Sequence, residues 1–280
     1  MATEPKEVKG EEVKSKELAI APTFELASVP RSEIDRAEID SQIATAHRFP
    51  RSISTFQSKA IAMATSDVDT AENCNYVLPR ADKNIEGPSI RLAEIVGIAW
   101  GNLRYSGRVI AIEETHVVAQ GICHDLESNV ACSTEVRRRI TNKYGKRFND
   151  DMIGVTANAA IAIALRNSIF KIVPMVFVNP VYEAAKKAAV GNIATLEKRR
   201  MAAVDFFSKK GVPQKALYEY LGINGIEDID LKILETMTGL KTSINDGEIT
   251  VEELFPPKPL IPQRKSAKEP IQGEIIDESK

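Results

Sequence analysis

The chain has 280 residues, 43% of them hydrophobic, and a formal net charge of −2. This length and apolar content suffice for one core of about 150 residues with a small satellite. The nearly neutral charge excludes a polycation that holds nucleic acid through its overall charge, so any affinity for a polyanion must come from a local patch.

The cysteine content and the apolar segments predict a cytoplasmic protein. Three cysteines in a chain of this length, without an N-terminal apolar run, are typical of a reducing compartment. Arg166 and Lys171 interrupt the most apolar region, from Met152 to Val178, so no membrane span is expected.

Composition divides the chain into four parts. Residues 1–28 alternate Lys and Glu with few large apolar side chains, which predicts a disordered N-terminal arm. Residues 256–280 are rich in proline and charge and predict a second tail. Between the tails we expect an α+β core at 29–190 and a small helical C-terminal domain at 191–255.

Helices are predicted at the start of the core. The patterns favour helices at Arg31–Arg48 and Ser52–Thr65, and the acidic turn at Asp67 begins a third. Gly87-Pro88 then places a proline at a helix start, and the apolar spacing continues through Trp100 to a stop at Gly101-Asn102.

From residue 103 to residue 140 the hydrophobic period changes to two. The runs LRYSGRVIAIE, THVVAQGICHDL and NVACSTEVRRRI are separated by turn-forming residues at 113–114 and 127–129. This pattern predicts a three-stranded antiparallel β-meander, in which Cys123 lies opposite Cys132.

A long helix is predicted next, in DMIGVTANAAIAIALRNSIFKIVP, and Pro174 ends it. Its alanines permit close approach of the helix to the sheet. Shorter helices follow at Tyr182–Val190, Thr195–Lys209, Pro213–Leu221 and Asp228–Leu240. Because acids outnumber bases from Pro213 to Phe255, that segment is expected to repel polyanions.

The segment RRRITNKYGKRFND carries the strongest functional signal. Its cations begin on a strand end, continue through a loop with interleaved aromatics, and lead into the long helix. Phosphates favour cations in a row, and unpaired bases stack on aromatic or arginine planes. The predicted contacts in this segment are Arg137, Arg138, Arg139, Lys143, Tyr144, Lys146 and Arg147.

Two neighbouring groups extend this predicted groove. Arg166 and Lys171 lie on the following helix, and Arg104, Tyr105 and Arg108 lie on the first strand of the meander. Weaker additions are Arg80, Lys83 and Arg91.

The common catalytic signatures do not occur. Gly145-Lys146 is followed by Arg147 rather than by Ser or Thr, so no phosphate cradle for ATP is present. Cys123-His124 with Cys132 is a poor zinc set, because adjacent strand residues point to opposite faces. We expect no cofactor, no metal and no enzymatic activity.

Two other classes remain open. The helices between Thr195 and Leu221 fit a helix-turn-helix DNA-binding regulator, with the adjacent acidic run as the argument against it. A phage structural or scaffolding protein, which would assemble without nucleic acid, is the other alternative.

The element order resembles the annealing core of single-strand annealing proteins. These are the phage recombinases of the RecT, lambda Red-beta and ERF groups and their eukaryotic Rad-fifty-two relatives. The resemblance covers about residues 85–178 and rests on a helix, a meander and an alanine-rich helix ending ALRNSIFKIVP. The stretches YVLPRADKNIEGPSIRLAEIVGIAWGNL and EVRRRITNKYGKRFNDDMIGVTANAAIAIALRNSIFKIVP are also similar to a family of uncharacterised phage proteins.

The resemblance implies ATP-independent binding of single-stranded DNA and strand annealing in homologous recombination, by subunits arranged in rings or helical filaments. It transfers only Arg137, Arg138, Arg139, Arg166 and Lys171 to the groove. It also implies that the segment 191–255 contacts a single-strand binding protein or an exonuclease. The long basic loop at 142–149 and the helices before Pro88 depart from the family pattern.

Overall fold

A computed structural model describes residues 31–80, 83–142, 144–191 and 195–256. The predicted N-terminal arm lies outside these ranges, as does the predicted C-terminal tail except for Pro256. The described chain is α+β, with two small antiparallel sheets. Its elements are α1 (Arg31–Arg48), α2 (Ile53–Ala64), α3 (Val68–Glu72), β1 (Asn75–Arg80), β2 (Lys83–Pro88), α4 (Ile90–Trp100), β3 (Leu103–Ile112), β4 (His116–Asp125), β5 (Val130–Arg139), α5 (Asp150–Ile172), α6 (Met175–Val190), α7 (Leu196–Lys209), α8 (Gln214–Leu221), α9 (Leu231–Asn245) and α10 (Val251–Leu254).

Side-chain caps fix where several helices begin. The Ser89 hydroxyl accepts hydrogen bonds from the backbone N–H groups of Arg91 and Leu92, so α4 begins at Ile90. Pro88, which was predicted at the helix start, is instead the last residue of β2. The Asn149 side chain accepts from Met152 N and starts α5 in the same way. Pro174 ends α5 and is the N-cap of α6.

The predicted meander is confirmed. β4 is the central strand, and β3 and β5 are the two edges of the sheet. Cys123 pairs with Cys132 in the register between β4 and β5. The odd-numbered residues of β4 face α5, and the even-numbered residues face the open side of the sheet.

α5 lies close against the central strand because both surfaces lack large side chains. A Cβ added at Gly121 would stand 2.3 Å from the carbonyl carbon of Ala164. The alanine side of α5 therefore faces the sheet at a distance that only glycine permits. By length and composition α5 also passes as a membrane span, but half of the apolar window is buried within the fold.

The β1–β2 hairpin was not predicted from the sequence. Each strand has six residues and contains a proline, so neither shows a clear alternation of polar and apolar positions. α9 packs directly on β1, where the Ser243 hydroxyl donates to Val77 O and accepts from Val77 N. Tertiary contacts therefore stabilise this hairpin.

The C-terminal helices pack against elements of the predicted core. Val77 of β1 lies in one apolar cluster with Phe207, Leu217 and Leu240. α6 begins at Met175, seven residues earlier than the predicted start at Tyr182, and packs against α2 and α3. Contacts between side chains therefore cross the domain boundary that was predicted at 190/191. The functional division at this boundary stays a prediction.

Candidate nucleic-acid interface

A cleft of about 1000 Å³ lies at the C-terminal end of β5. The first turns of α5, the end of β1 and the segment that joins α9 to α10 form its other walls. It is lined by four arginines from two distant parts of the chain. They are Arg80, Arg137, Arg138 and Arg139.

The three consecutive arginines of β5 have different surroundings, because side chains alternate along a strand. Arg137 is exposed and forms a 2.5 Å ion pair with Glu113. Arg139 is exposed, and within the described residues no hydrogen bond or ion pair is found for it. Arg138 is half-buried and donates from Nη2 to the carbonyl oxygens of Gly247 and Glu248, at 3.1 and 3.2 Å.

The basic loop is a tight turn beside this cleft. The Asn142 side chain accepts hydrogen bonds from Tyr144 N and Lys146 N, and Thr141 bridges to Arg147. Arg147 donates from Nη1 to the carbonyl oxygens of Glu113 and Glu114, each at 2.7 Å. Arg147 thus holds the loop against the β3–β4 turn, while the Lys146 side chain is exposed.

Arg104 and Arg108 lie on the open face of the sheet, outside the cleft. Arg104 is hydrogen-bonded to Gln42 of α1 and ion-paired with Glu38, and Arg108 is hydrogen-bonded to Gln120. The register pairs Arg104, Arg108, Arg137 and Arg139 with even-numbered residues of β4, so all four arginines belong to the open face of the sheet.

Besides Arg104 and Arg108, three predicted contacts lie away from the cleft. Tyr105 faces α4 and packs against Gly97, and burial raises its pKa. Arg166 is buried. Lys171 is exposed in the last turn of α5, about 22 Å along the helix axis from Thr156 in the cleft at 1.5 Å per residue. Lys143 lies outside the described residues.

Arg166 was wrongly predicted as a phosphate contact. Its partners in the interior come from remote segments of the chain, so the local sequence does not show that this cation is buried. It forms a 2.5 Å ion pair with Glu248, and its guanidinium lies 4.3 Å from the ring centroid of Tyr76. Tyr105 lies on the core side of the sheet, because the residues on β3 alternate between the open face and the core, and the sequence shows this alternation without showing which face is covered.

Several residues of the cleft were missed or underweighted by sequence reasoning. Arg80 was only a weaker addition, while His116, Phe148 and Tyr220 were not selected as contacts. Arg80 and Tyr220 also line an adjoining pocket of about 500 Å³ with Lys83. Only the packing of the C-terminal helices beside the hairpin brings these residues together.

One wall of the cleft is acidic. Glu248 and Glu253 line it together with Thr250. Burial lowers the pKa of Arg138 and the positive charge of Arg80 lowers it further, whereas Glu248 and Glu253 raise it. These charges are therefore close enough to act on one another.

The helix-turn-helix alternative loses both of its arginines to backbone contacts in the structure. Arg199 donates to Ala188 O, and Arg200 donates to the carbonyl oxygens of Ile229 and Glu227. α8, the helix that would read bases, has eight residues and contains Lys215 as its only base. These contacts indicate a structural role for the arginines of α7.

The strand geometry also separates the residues of the weak zinc set. Cys123 and Cys132 face α5, whereas His124 faces the open side and contacts Asn129. Within the described ranges, no group of three metal-binding side chains is assembled.

Comparison with known proteins gives no relative. No protein-family model matches the chain, and neither a curated protein nor a solved structure matches it significantly.

Proposed function

We propose that this protein binds single-stranded DNA and anneals complementary strands without ATP, in phage homologous recombination. The observation that carries the proposal is the cleft at the end of β5, which is lined by Arg80, by Arg138 and by its neighbours Arg137 and Arg139. Lys146 extends the positive charge along the adjoining loop.

The side chains of the cleft suit a single strand. Guanidinium groups form charge-assisted hydrogen bonds with phosphate oxygens, and they do so without reading sequence. His116, Phe148 and Tyr220 add ring surfaces on which unpaired bases can stack. Binding through these groups holds the backbone and leaves sequence recognition to base pairing between the strands.

Self-association is part of the proposal. β3 and β5 form the two edges of the three-stranded sheet, and unpaired strand edges favour pairing with another chain. Light scattering of the protein with and without DNA should give masses well above the 30.8 kDa of one chain. A strict monomer in both states would exclude rings and filaments.

An electrophoretic comparison of single-stranded DNA, duplex DNA and two complementary strands added in sequence tests the function. We expect preferential binding of the single strand, little dependence on its sequence, and faster duplex formation than in the absence of protein. Affinity should fall by orders of magnitude between about 50 and about 200 mM salt, because several phosphates are contacted.

Each alternative gives a different result in this comparison. A regulator would prefer one particular duplex, and a scaffolding protein would assemble without binding either form of DNA. Affinity for the single strand that does not change with salt would exclude capture by the arginine-lined cleft.

A further inference from the structure

The C-terminal segment places negative charge inside the basic cleft. Glu253 and Thr250 line the cleft together with Arg80 and Arg138, and the charge of Glu253 acts on Arg138. The neighbouring turn is fixed there by the hydrogen bonds from Arg138 to Gly247 O and Glu248 O. The acidic wall is therefore a built part of the cleft rather than a separate partner-binding surface.

Glu253 and Glu248 differ in what they contribute. The Glu248 carboxylate is buried and paired with Arg166, so it is committed to the interior. Glu253 is exposed, and its Oε2 atom accepts a hydrogen bond from Thr250 N in a capping box at the start of α10. The hydrogen bond of the helix cap thus holds the Glu253 carboxylate on the cleft side.

We propose that Glu253 is an internal competitor for phosphate, which weakens capture of the DNA backbone by the arginines of the cleft. This inference rests on the proposed function. Carboxylate and phosphate oxygens accept hydrogen bonds from guanidinium groups in the same way. A strand that enters the cleft must therefore overcome repulsion by Glu253, which keeps binding reversible enough for strands to be exchanged during annealing.

Glu253→Gln isolates the charge from the cap. The glutamine amide oxygen still accepts the hydrogen bond from Thr250 N, so α10 and the neighbouring turn keep their start signal. Glu227→Gln is the matched control, because Glu227 is exposed, belongs to the same helical region and does not line the cleft. Both variants change the net charge equally, and thermal unfolding verifies that both are folded.

The experiment measures binding of fluorescent oligothymidylate to the full chain and to both variants over a range of salt. We expect Glu253→Gln to bind about 3- to 10-fold more tightly at about 50 mM salt, because it removes one charge within a Debye length of the phosphates. The slope of log affinity against log salt should become steeper by about 0.7, as for one further phosphate neutralised on a single strand. Glu227→Gln should bind like the unchanged protein.

The outcomes separate this inference from the proposed function. If the unchanged protein binds and Glu253→Gln binds equally well, the competitor role is overturned and the function stands. Equal tightening by both variants would show a general charge effect and would also overturn it. If none of the three proteins binds, both proposals fail.

Discussion

Arg166 and Glu248 form an ion pair in the interior, with Nη1 and Oε1 2.5 Å apart and only 8% and 2% of their side chains exposed. Removing one partner leaves an uncompensated charge in the core. We expect Glu248→Ala to lower the free energy of unfolding by about 3–5 kcal/mol, measured by urea denaturation. Glu94→Ala, which breaks the exposed pair with Arg91, is the control and should cost less than about 1 kcal/mol.

Gly121 is the second position where the structure predicts a large effect. In Gly121→Ala the new methyl group would meet the Ala164 backbone, and α5 would have to move away from β4. We expect a loss of about 1–3 kcal/mol, as for overpacked cores, from chemical denaturation. Gly154→Ala, on α5, is the control for this close approach, because nothing lies within 4 Å of the added Cβ. That variant should be more stable by about 0.5–1 kcal/mol, and equal destabilisation by both changes would contradict the close approach.

The local elements could be predicted from the sequence where one pattern dominates. The period of two between Leu103 and Arg139 predicts the meander, and the apolar spacing that continues through Trp100 predicts α4. The β1–β2 hairpin could not be predicted, because its stabilising contacts come from α9, more than 150 residues later in the chain.

The candidate site was predicted only in part for the same reason. The charge run predicted Arg137 and Arg139 as phosphate contacts, and the structure places both at the surface, at the edge of the cleft. It could not reveal that Arg166 has a buried carboxylate partner, or that Glu253 lines the same cleft as Arg138. Both facts depend on where the C-terminal segment docks, and no local pattern records that position.

The arginines of the cleft should contribute unequally to DNA affinity. Arg80→Ala and Arg139→Ala should each weaken binding of oligothymidylate and reduce the salt slope by about 0.7, because each removes one phosphate contact. Arg138→Ala should lower stability as well, since this side chain holds the turn at Gly247. Lys171→Ala is the control, and it should bind normally because it lies at the far end of α5. If Lys171→Ala weakens binding more than Arg139→Ala, the strand follows a different surface.

Removing every residue after Val190 tests how independent the C-terminal helices are. The fragment loses Glu248, which leaves Arg166 unpaired in the interior, and it uncovers Val77. We therefore expect the fragment to lose cooperative thermal unfolding, measured by circular dichroism. A core that folds independently would instead unfold cooperatively and still bind DNA. A fragment that melts within a few degrees of the full chain would show that the two parts fold separately.

Glu127 should make stability depend on pH in the acid range. Burial alone would raise its pKa, but hydrogen bonds from Arg51 N, the Asn102 amide and the Arg51 guanidinium lower it to about 2, from 4.5. Because the folded-state pKa is depressed, the stabilisation is present above pH 4.5 and is lost as the pH falls towards 2. Melting temperatures of Glu127→Gln and the unchanged protein should therefore converge over this interval. A difference that stays constant with pH would contradict the assignment.

The rates at which the cysteines react with an alkylating reagent should report local opening of the fold. Burial raises the pKa of both Cys74 and Cys123 to about 12, whereas Cys132, opposite Cys123, is partly accessible. Since only an accessible thiolate reacts quickly with an alkylating reagent, Cys132 should be labelled first. Cys123 lies on the strand face that α5 covers, so its labelling rate would time how often that helix separates from the sheet, under native conditions and without an added dye.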